Sequence, residues 1–247
     1  SYSRYKPLTY LIDIPKDVKS LLTSQRNMSG FMKSILVKRL ESSFYAFKKT
    51  LDRFILSYEK FLEMCLKGDI YISKKFDVYD LLEYGDDEHL MDLIENDSIQ
   101  HYPIHAFNKN FIVDIKNDLN ILIELKNKWT HINDDPKKNQ FLLELSNNTQ
   151  LLNNKIIIFT ESKETADYVA KYLNDYYPGS VLAFSGISSQ SIRQDIEANF
   201  NPDYAYEKKD DIRFLVTTDL LAGGINLHRS SIILNYDLPC NPTKIMQ

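Results

Sequence analysis

The sequence predicts an α/β chain in two parts, an all-α helical region over residues 1–150 and a parallel-sheet domain over 151–247. Three observations predict this. Between Leu40 and Cys65 the apolar residues Phe44, Phe47, Leu51, Phe54, Tyr58 and Phe61 recur alternately three and four positions apart, which is one face of a helix. After Asn154 the pattern changes to short β-branched runs separated by amphipathic stretches, the order of a parallel sheet with right-handed crossovers. Two of those runs end in polar turns, Thr217-Thr218-Asp219 and Tyr236-Asp237-Leu238-Pro239.

Taken in order, Phe31, Met32, Ile35 and Leu36 carry the first stripe back towards Gly30, so one helix is expected from about residue 28 to 67. Lys67 supplies a basic last turn and Gly68 a stop. Val78–Leu82 and His89–Ile94 read as short helices on either side of the acidic loop Gly85–Glu88. Helical spacing returns over Ile112–Trp129, through Ile115, Leu119, Leu122, Ile123 and Leu125. Asn133–Asn139 is a turn cluster, Gln140–Ser146 a short helix, and Ser146–Gln150 with Asn153-Asn154 a hinge between the halves. The second half then reads as strand Lys155–Thr160, helix Lys163–Leu173, strand Ser180–Phe184, helix Ser189–Phe200, and strands Ile212–Thr217 and Ser231–Asn235.

Composition narrows the function. A hydrophobic fraction of 43% with 12% aromatics supports a packed core. The net charge of −4 announces no global basic field, although a nucleic-acid groove needs only local cations. Cys65 and Cys240 are the only cysteines and read as reduced intracellular thiols. His101 and His105 have helical spacing for a metal, but Pro103 between them disfavours that helix, so no metal is expected. Ser1–Pro7 lacks the apolar core of a signal peptide and no run reaches a membrane span, so a soluble, cytoplasmic protein is expected. The missing initiator Met, and a helix expected to continue past Gln247, suggest a piece of something longer.

Ligands of open α/β sheets sit at the carboxyl ends of the strands. Four polar turns fall there: Thr160–Lys163, Ser185–Ser189, Thr217–Asp219 and Tyr236–Pro239. Their hydroxyls and helix-start amides suit phosphate oxygens, and Gly223 and Gly224 allow close backbone approach. Each piece also has a structural reading: Ser162, Ser188 and Ser189 as helix caps, Asp219 as a cap, the glycine pair as a turn.

The order of these turns over roughly residues 135–247 resembles the second RecA-like domain of superfamily 2 helicase-like ATPases, especially the Swi/Snf-related branch. Lys155–Asp167 looks like motif IV, Phe184–Arg193 like the following nucleic-acid loop and arginine-bearing helix, and Phe214–His228 like motif V. Asn241–Gln247 looks like the start of motif VI, whose arginines would follow. Val37–Ser43, with Phe44 and Phe47 behind it, is similar to a segment preceding this domain in bacterial Swi/Snf-like proteins. The resemblance implies that Ser162, Lys163, Ser185 and Gly186 lie against a nucleic-acid backbone, and that Thr217 and Thr218 bind it by contacting phosphate and couple strand position to the ATP cleft. It further implies that Gly224 and Asn226 approach the nucleotide and that Arg193 orders its loop.

What the resemblance implies for the intact protein is ATP and Mg²⁺ as cofactors, a nucleic-acid partner with DNA placed ahead of RNA and the choice left open, and a first RecA-like domain in the same polypeptide. The chain carries no G-x-x-x-x-G-K-[ST] phosphate loop, and Asp87-Glu88-His89 follows Gly85 and Asp86 rather than a buried strand. The expectation is therefore a helicase or double-strand DNA translocase as the intact protein, with this fragment alone binding no ATP or metal and inactive. The helical region is expected to brace the domains. The alternative is a non-catalytic binding module on the same scaffold. A dinucleotide-binding enzyme is disfavoured because no G-x-G-x-x-G follows a strand.

Overall fold

A computed structural model describes residues 2–15, 18–73, 99–184, 190–218 and 225–238. The chain divides into two compact units, Ser1–Leu40 with Phe47–Asn133, and Glu41–Ala46 with Asp134–Gln247. The sequence reading placed this division near residue 150.

The first unit is built on α1 (Lys19–Ser42), α2 (Phe44–Lys67) and a later helix, α3 (Asn110–Thr130). The α2 stripe packs as its spacing predicts, with Phe47, Leu51, Phe54, Tyr58, Phe61 and Cys65 all buried. The single helix expected from about 28 to 67 is corrected: the helix starts at Lys19 and breaks at Ser43. The reason is local. Ser43 Oγ accepts the backbone N–H of Ala46 at 3.0 Å, which caps a new helix and competes with continuing the old one.

Gly68 ends α2 with φ +98°, a left-handed conformation that glycine adopts without Cβ strain. The chain then turns into β1 (Asp69–Ser73), which pairs antiparallel with β2 (Ile99–Pro103). Ile70 and Ile72 are buried while Tyr71 is exposed, the two-residue period of a half-buried strand. This ribbon is an addition to the helices expected here. Val78–Leu82 and His89–Ile94 lie outside the described residues. His101 sits on β2 with Nε2 2.6 Å from Asp69 Oδ1, and His105 lies in the 3₁₀ turn Ile104–Ala106. Among the described residues no three His, Cys, Asp or Glu side chains gather as a metal site, and no helix is long and apolar enough to cross a membrane. Burial pushes the Cys65 thiol up to about 11, which leaves it an unreactive core group.

Phe111 of α3 centres this core. Its ring stacks on Phe107 at 4.7 Å, tilts against Tyr10 at 4.9 Å and meets Phe61 edge-on at 6.1 Å. At the other end of the core the buried Asp118 carboxylate accepts the Ser3 N–H at 2.6 Å and the Tyr58 hydroxyl at 3.3 Å.

The second unit opens with α4 (Pro136–Asn147) and the short α5 (Thr149–Leu152). Asp135 caps α4 by accepting the Lys137 and Lys138 amides, with Pro136 in the first helical position, so the expected turn cluster already contains the first helical turn. Of the segment read as a hinge, Ser146 and Asn147 end α4, Thr149 and Gln150 begin α5 and Asn153-Asn154 follow it, and Arg213 donates to the Leu151 carbonyl at 2.6 Å. Then come β3 (Ile156–Phe159), α6 (Lys163–Tyr176), β4 (Val181–Phe184), α7 (Gln190–Phe200), β5 (Phe214–Thr217) and β6 (Ile232–Asn235). The strands form one parallel sheet in the order β4-β5-β3-β6.

Both faces of the central strands β3 and β5 are covered, as buried parallel strands require, while Ile233 on the edge strand β6 is exposed. Ile156, Ile158, Phe214 and Val216 pack with Phe141 and the apolar face of α6. Ile157 and Leu215 point the other way, towards Ile196, Phe200 and Ile212. The fold is therefore of the expected α/β class, with a four-stranded parallel sheet and a helical region. Ahead of β3, Lys155 Nζ lies 3.0 Å from Asp210, which Arg229 also contacts at 2.9 Å, fastening the segment between α7 and β5.

Two outcomes are expected. Phe111→Ala should cost about 3–5 kcal/mol of stability in the first unit. Urea unfolding followed by the fluorescence of Trp129, the single tryptophan, reads this directly, and a loss below about 1 kcal/mol would contradict the central place given to Phe111. Separately, the Lys155 hydrogen bond holds the Asp210 carboxyl below its usual range. The stability it adds is present above the ordinary aspartate value of about 3.9 and is lost as pH falls through the depressed one. Because Asp210 is largely solvated, Asp210→Asn should cost only about 0.5 kcal/mol at neutral pH. That difference should vanish in urea titrations at acid pH, and a difference that grew on acidification would refute the sign.

Candidate functional site

Because the four strands run parallel, their carboxyl ends share one edge of the sheet. The register sets those ends level: Phe184 pairs with Thr217, Thr217 with Phe159, and Phe159 with Asn235. Backbone bonding extends one residue further, from the Thr160 N–H to the Thr217 carbonyl at 3.0 Å and from the Tyr236 N–H to the Phe159 carbonyl at 2.8 Å. The turns after β3, β5 and β6 therefore begin beside one another. Ser185 and Gly186, after β4, and Gly223 and Gly224, after β5, lie outside the described residues.

The side chains divide into those that hold the turns and those that face outward. Ser162 is fully buried and caps α6, accepting the Thr165 N–H at 3.3 Å and donating to Glu164 at 3.0 Å. Lys163, half-buried, is the first residue of α6. Thr217 is fully buried, and its hydroxyl donates to the Thr218 carbonyl at 2.9 Å. Thr218 is half-buried and stands one residue nearer the turn. Arg193 on α7 lies over the Phe184 ring at 5.5 Å, so it braces the end of β4.

Among the described residues Asn226 bonds away from these turns. Its amide donates to Asp203 Oδ2 at 3.1 Å, and its carbonyl accepts the His228 N–H at 3.1 Å. One amide proton and one carbonyl lone pair remain beyond those bonds, enough for a single ribose contact.

The most connected side chain at the edge is Asp237, noted in the sequence only as part of a turn. Its Oδ2 accepts the Thr160 hydroxyl at 2.6 Å, the Ser42 hydroxyl at 2.7 Å and the Glu161 N–H at 3.2 Å. Its Oδ1 accepts Lys137 Nζ at 3.0 Å. Thr160 was likewise noted only within its turn, Ser42 and Ser43 only within the Val37–Ser43 segment and Lys137 only within a turn cluster, while Thr165 was given no role of its own. The available signals were the Ser42-Ser43 pair interrupting an apolar stripe and the Asp135-Pro136 helix start. Neighbouring Tyr236 and Tyr172 are buried, and burial pushes both phenols well above the ordinary tyrosine value, so they remain neutral.

Comparison with known proteins fits this geometry. Residues 137–247 match the family described as "Helicase conserved C-terminal domain". A protein of Trypanosoma brucei brucei described as "Probable eukaryotic initiation factor 4A" is 33% identical over 85 residues, covering 34% of this chain and 19% of that relative. The "ATP-dependent RNA helicase eIF4A" of Yarrowia lipolytica is 28% identical over 127 residues, covering 51% of this chain and 30% of the relative. Among solved structures, the Pyrococcus furiosus Hef helicase domain aligns with 99% of this chain and 46% of its own, at 17% identity and a TM-score of 0.42. The chain thus spans less than a third of the length of these curated relatives. Over residues 137–247, the part that holds the parallel sheet, the chain is thus similar to the family described as helicase conserved C-terminal domain.

Proposed function

We propose that this chain supplies the second RecA-like domain of a nucleic-acid-dependent ATPase, a helicase or double-strand DNA translocase that couples ATP hydrolysis to movement along nucleic acid. The observation that carries this reading is the level carboxyl edge, where Thr160, Thr217, Thr218 and Asp237 gather within the residues matched by the helicase family. A row of short polar turns on one lip suits a sugar-phosphate chain without reading its sequence.

In this role Lys163 and Thr218 meet the backbone, while Ser162 and Thr217 hold the turns that present them. Ser185 and Gly186 extend the same lip, and Gly224 and Asn226 approach the nucleotide. ATP with Mg²⁺, held chiefly by a first RecA-like domain, would supply the hydrolysis that drives the two domains together and apart. Residues 1–150 act as a helical bracing region, with 151–247 as the motor half. DNA follows from the order of turns shared with Swi/Snf-related proteins. RNA is the second reading, favoured by relatives that are described as RNA helicases.

The test is ATP hydrolysis by the full-length protein without nucleic acid and with single- or double-stranded DNA or RNA. Stimulation is expected, strongest with duplex DNA, and the half-stimulating concentration should rise with salt. Thr218→Ala should raise that concentration about tenfold, the worth of one hydrogen bond to a charged group. Changing Thr217 would mix lost packing with lost contact, because its side chain is buried. No stimulation by any nucleic acid would leave the binding-module alternative in possession.

A further inference from the structure

We propose that the elbow between α1 and α2, Glu41–Ala46, is a positioning element of the carboxyl edge, with Ser42 acting through the Asp237 carboxylate to fix the turn that leads into Lys163. The elbow lies far from that turn in sequence, yet it belongs to the same compact unit as the sheet.

The hydrogen bonds have a forced direction. An ionised carboxylate only accepts, so the Ser42 hydroxyl gives its single proton to Asp237 Oδ2. The contact of 2.6 Å between the Ser42 and Thr165 oxygens must then carry the Thr165 proton to Ser42. The 2.9 Å contact between Ser43 and Thr165 must in turn carry the Ser43 proton. Ser43 accepts the Ala46 N–H and so closes the chain at the start of α2. Ser43 to Thr165 to Ser42 to Asp237 is one directed relay ending on a charge, in which each bond polarises the next.

Lys137 holds the same elbow from the other side. Its three ammonium protons go to the carbonyls of Glu41 and Ser42, at 2.9 and 3.0 Å, and to Asp237 Oδ1. Those carbonyls belong to the last turn of α1, where intrahelical partners are missing and a cation is favoured. The Asp237 side chain is only 8% exposed, and removing one partner from a buried carboxylate leaves the others misplaced. The same Asp237 Oδ2 that takes the Ser42 proton also accepts the Thr160 hydroxyl and the Glu161 amide. The Thr160 oxygen also accepts the Ser162 N–H at 3.3 Å, so the turn is set from the elbow up to the cap of α6.

Hydrogen exchange by mass spectrometry on the whole chain tests this relay. Ser42→Ala is expected to speed exchange at Glu161 and Thr165 by about tenfold or more beyond any change in β4, since a hydrogen bond to a charge is lost locally. Thr160→Val should do the same, and Thr160→Ser, which keeps the hydroxyl, should stay near wild type. Should Ser42→Ala fail to fold, Ser42→Cys fills the same space with a weak donor and is expected to speed exchange as well. Rates at Glu161 and Thr165 that match wild type, or that rise only in step with β4, would overturn the proposal. A second arm rests on the ATPase reading: in the full-length protein Ser42→Ala should raise the half-stimulating nucleic-acid concentration about threefold or more and leave the rate at saturation unchanged. A wild-type protein without stimulation would end the ATPase reading and leave the exchange result to decide the relay alone.

Discussion

The register of β3 against β5 and β6 is the constraint on which everything at the sheet edge depends. Ile156 and Ile158 face one layer of the core and Ile157 the other, and none of the three is exposed beyond 3%. A slip of one residue would exchange those faces and press the Thr160 hydroxyl towards apolar side chains. Evenly spaced parallel bonding then carries the alignment outward, so that Thr160 and Tyr236 still bond to their neighbours after the strands have ended. Aliphatic packing inside the sheet therefore decides where polar groups stand at its rim. Four-residue strands suffice at the centre of the sheet because both faces of β3 and β5 are filled.

A second constraint opposes the first in chemistry. The elbow and the edge concentrate Ser42, Ser43, Thr160, Ser162 and Thr165, each no more than 5% exposed, around one carboxylate. Such a cluster destabilises a fold unless every donor and acceptor is met. Here the hydroxyl protons run in one direction, and Lys137 balances the charge. The broken helix is the structural consequence. An uninterrupted turn through Ser43 would take the Ala46 amide into the helix and remove the acceptor role of the Ser43 hydroxyl. The discontinuity between α1 and α2 is thus part of how the sheet domain is completed.

Much of this was legible in the sequence. The strands and helices after Asn154 follow from the change of period, because each strand is a short apolar run between hydroxyl-rich turns and each helix shows its face, as Val169 and Leu173 do in α6. The level edge follows from parallel pairing alone. The break at Ser43 was hidden because the apolar spacing from Leu40 to Phe47 runs straight through it, and a periodicity argument weighs apolar positions while passing over a capping serine. The β1–β2 ribbon was hidden because five residues carry too little alternation to stand out. Asp237 was visible as a turn residue, but its partners Ser42 and Lys137 are 195 and 100 residues away, and no local pattern joins them.

That the edge is already well bonded bears on how it can hold a ligand. A bare helix N-terminus binds phosphate through unpaired amides. At the start of α6 the Glu161, Ser162 and Thr165 amides already have acceptors in Asp237, Thr160 and Ser162. In the proposed role a nucleic-acid strand would meet the Lys163 side chain on a turn whose backbone is held at Glu161, Ser162 and Thr165. Fixing the backbone reduces the ordering cost of each contact. It also means that displacement of a turn has to pass through Asp237, since the carboxylate bonds at once to the turn, to α4 through Lys137 and to the elbow. A stepping motor needs such a joint, because contacts that form and release along a backbone do so cleanly only when the groups presenting them move as one body.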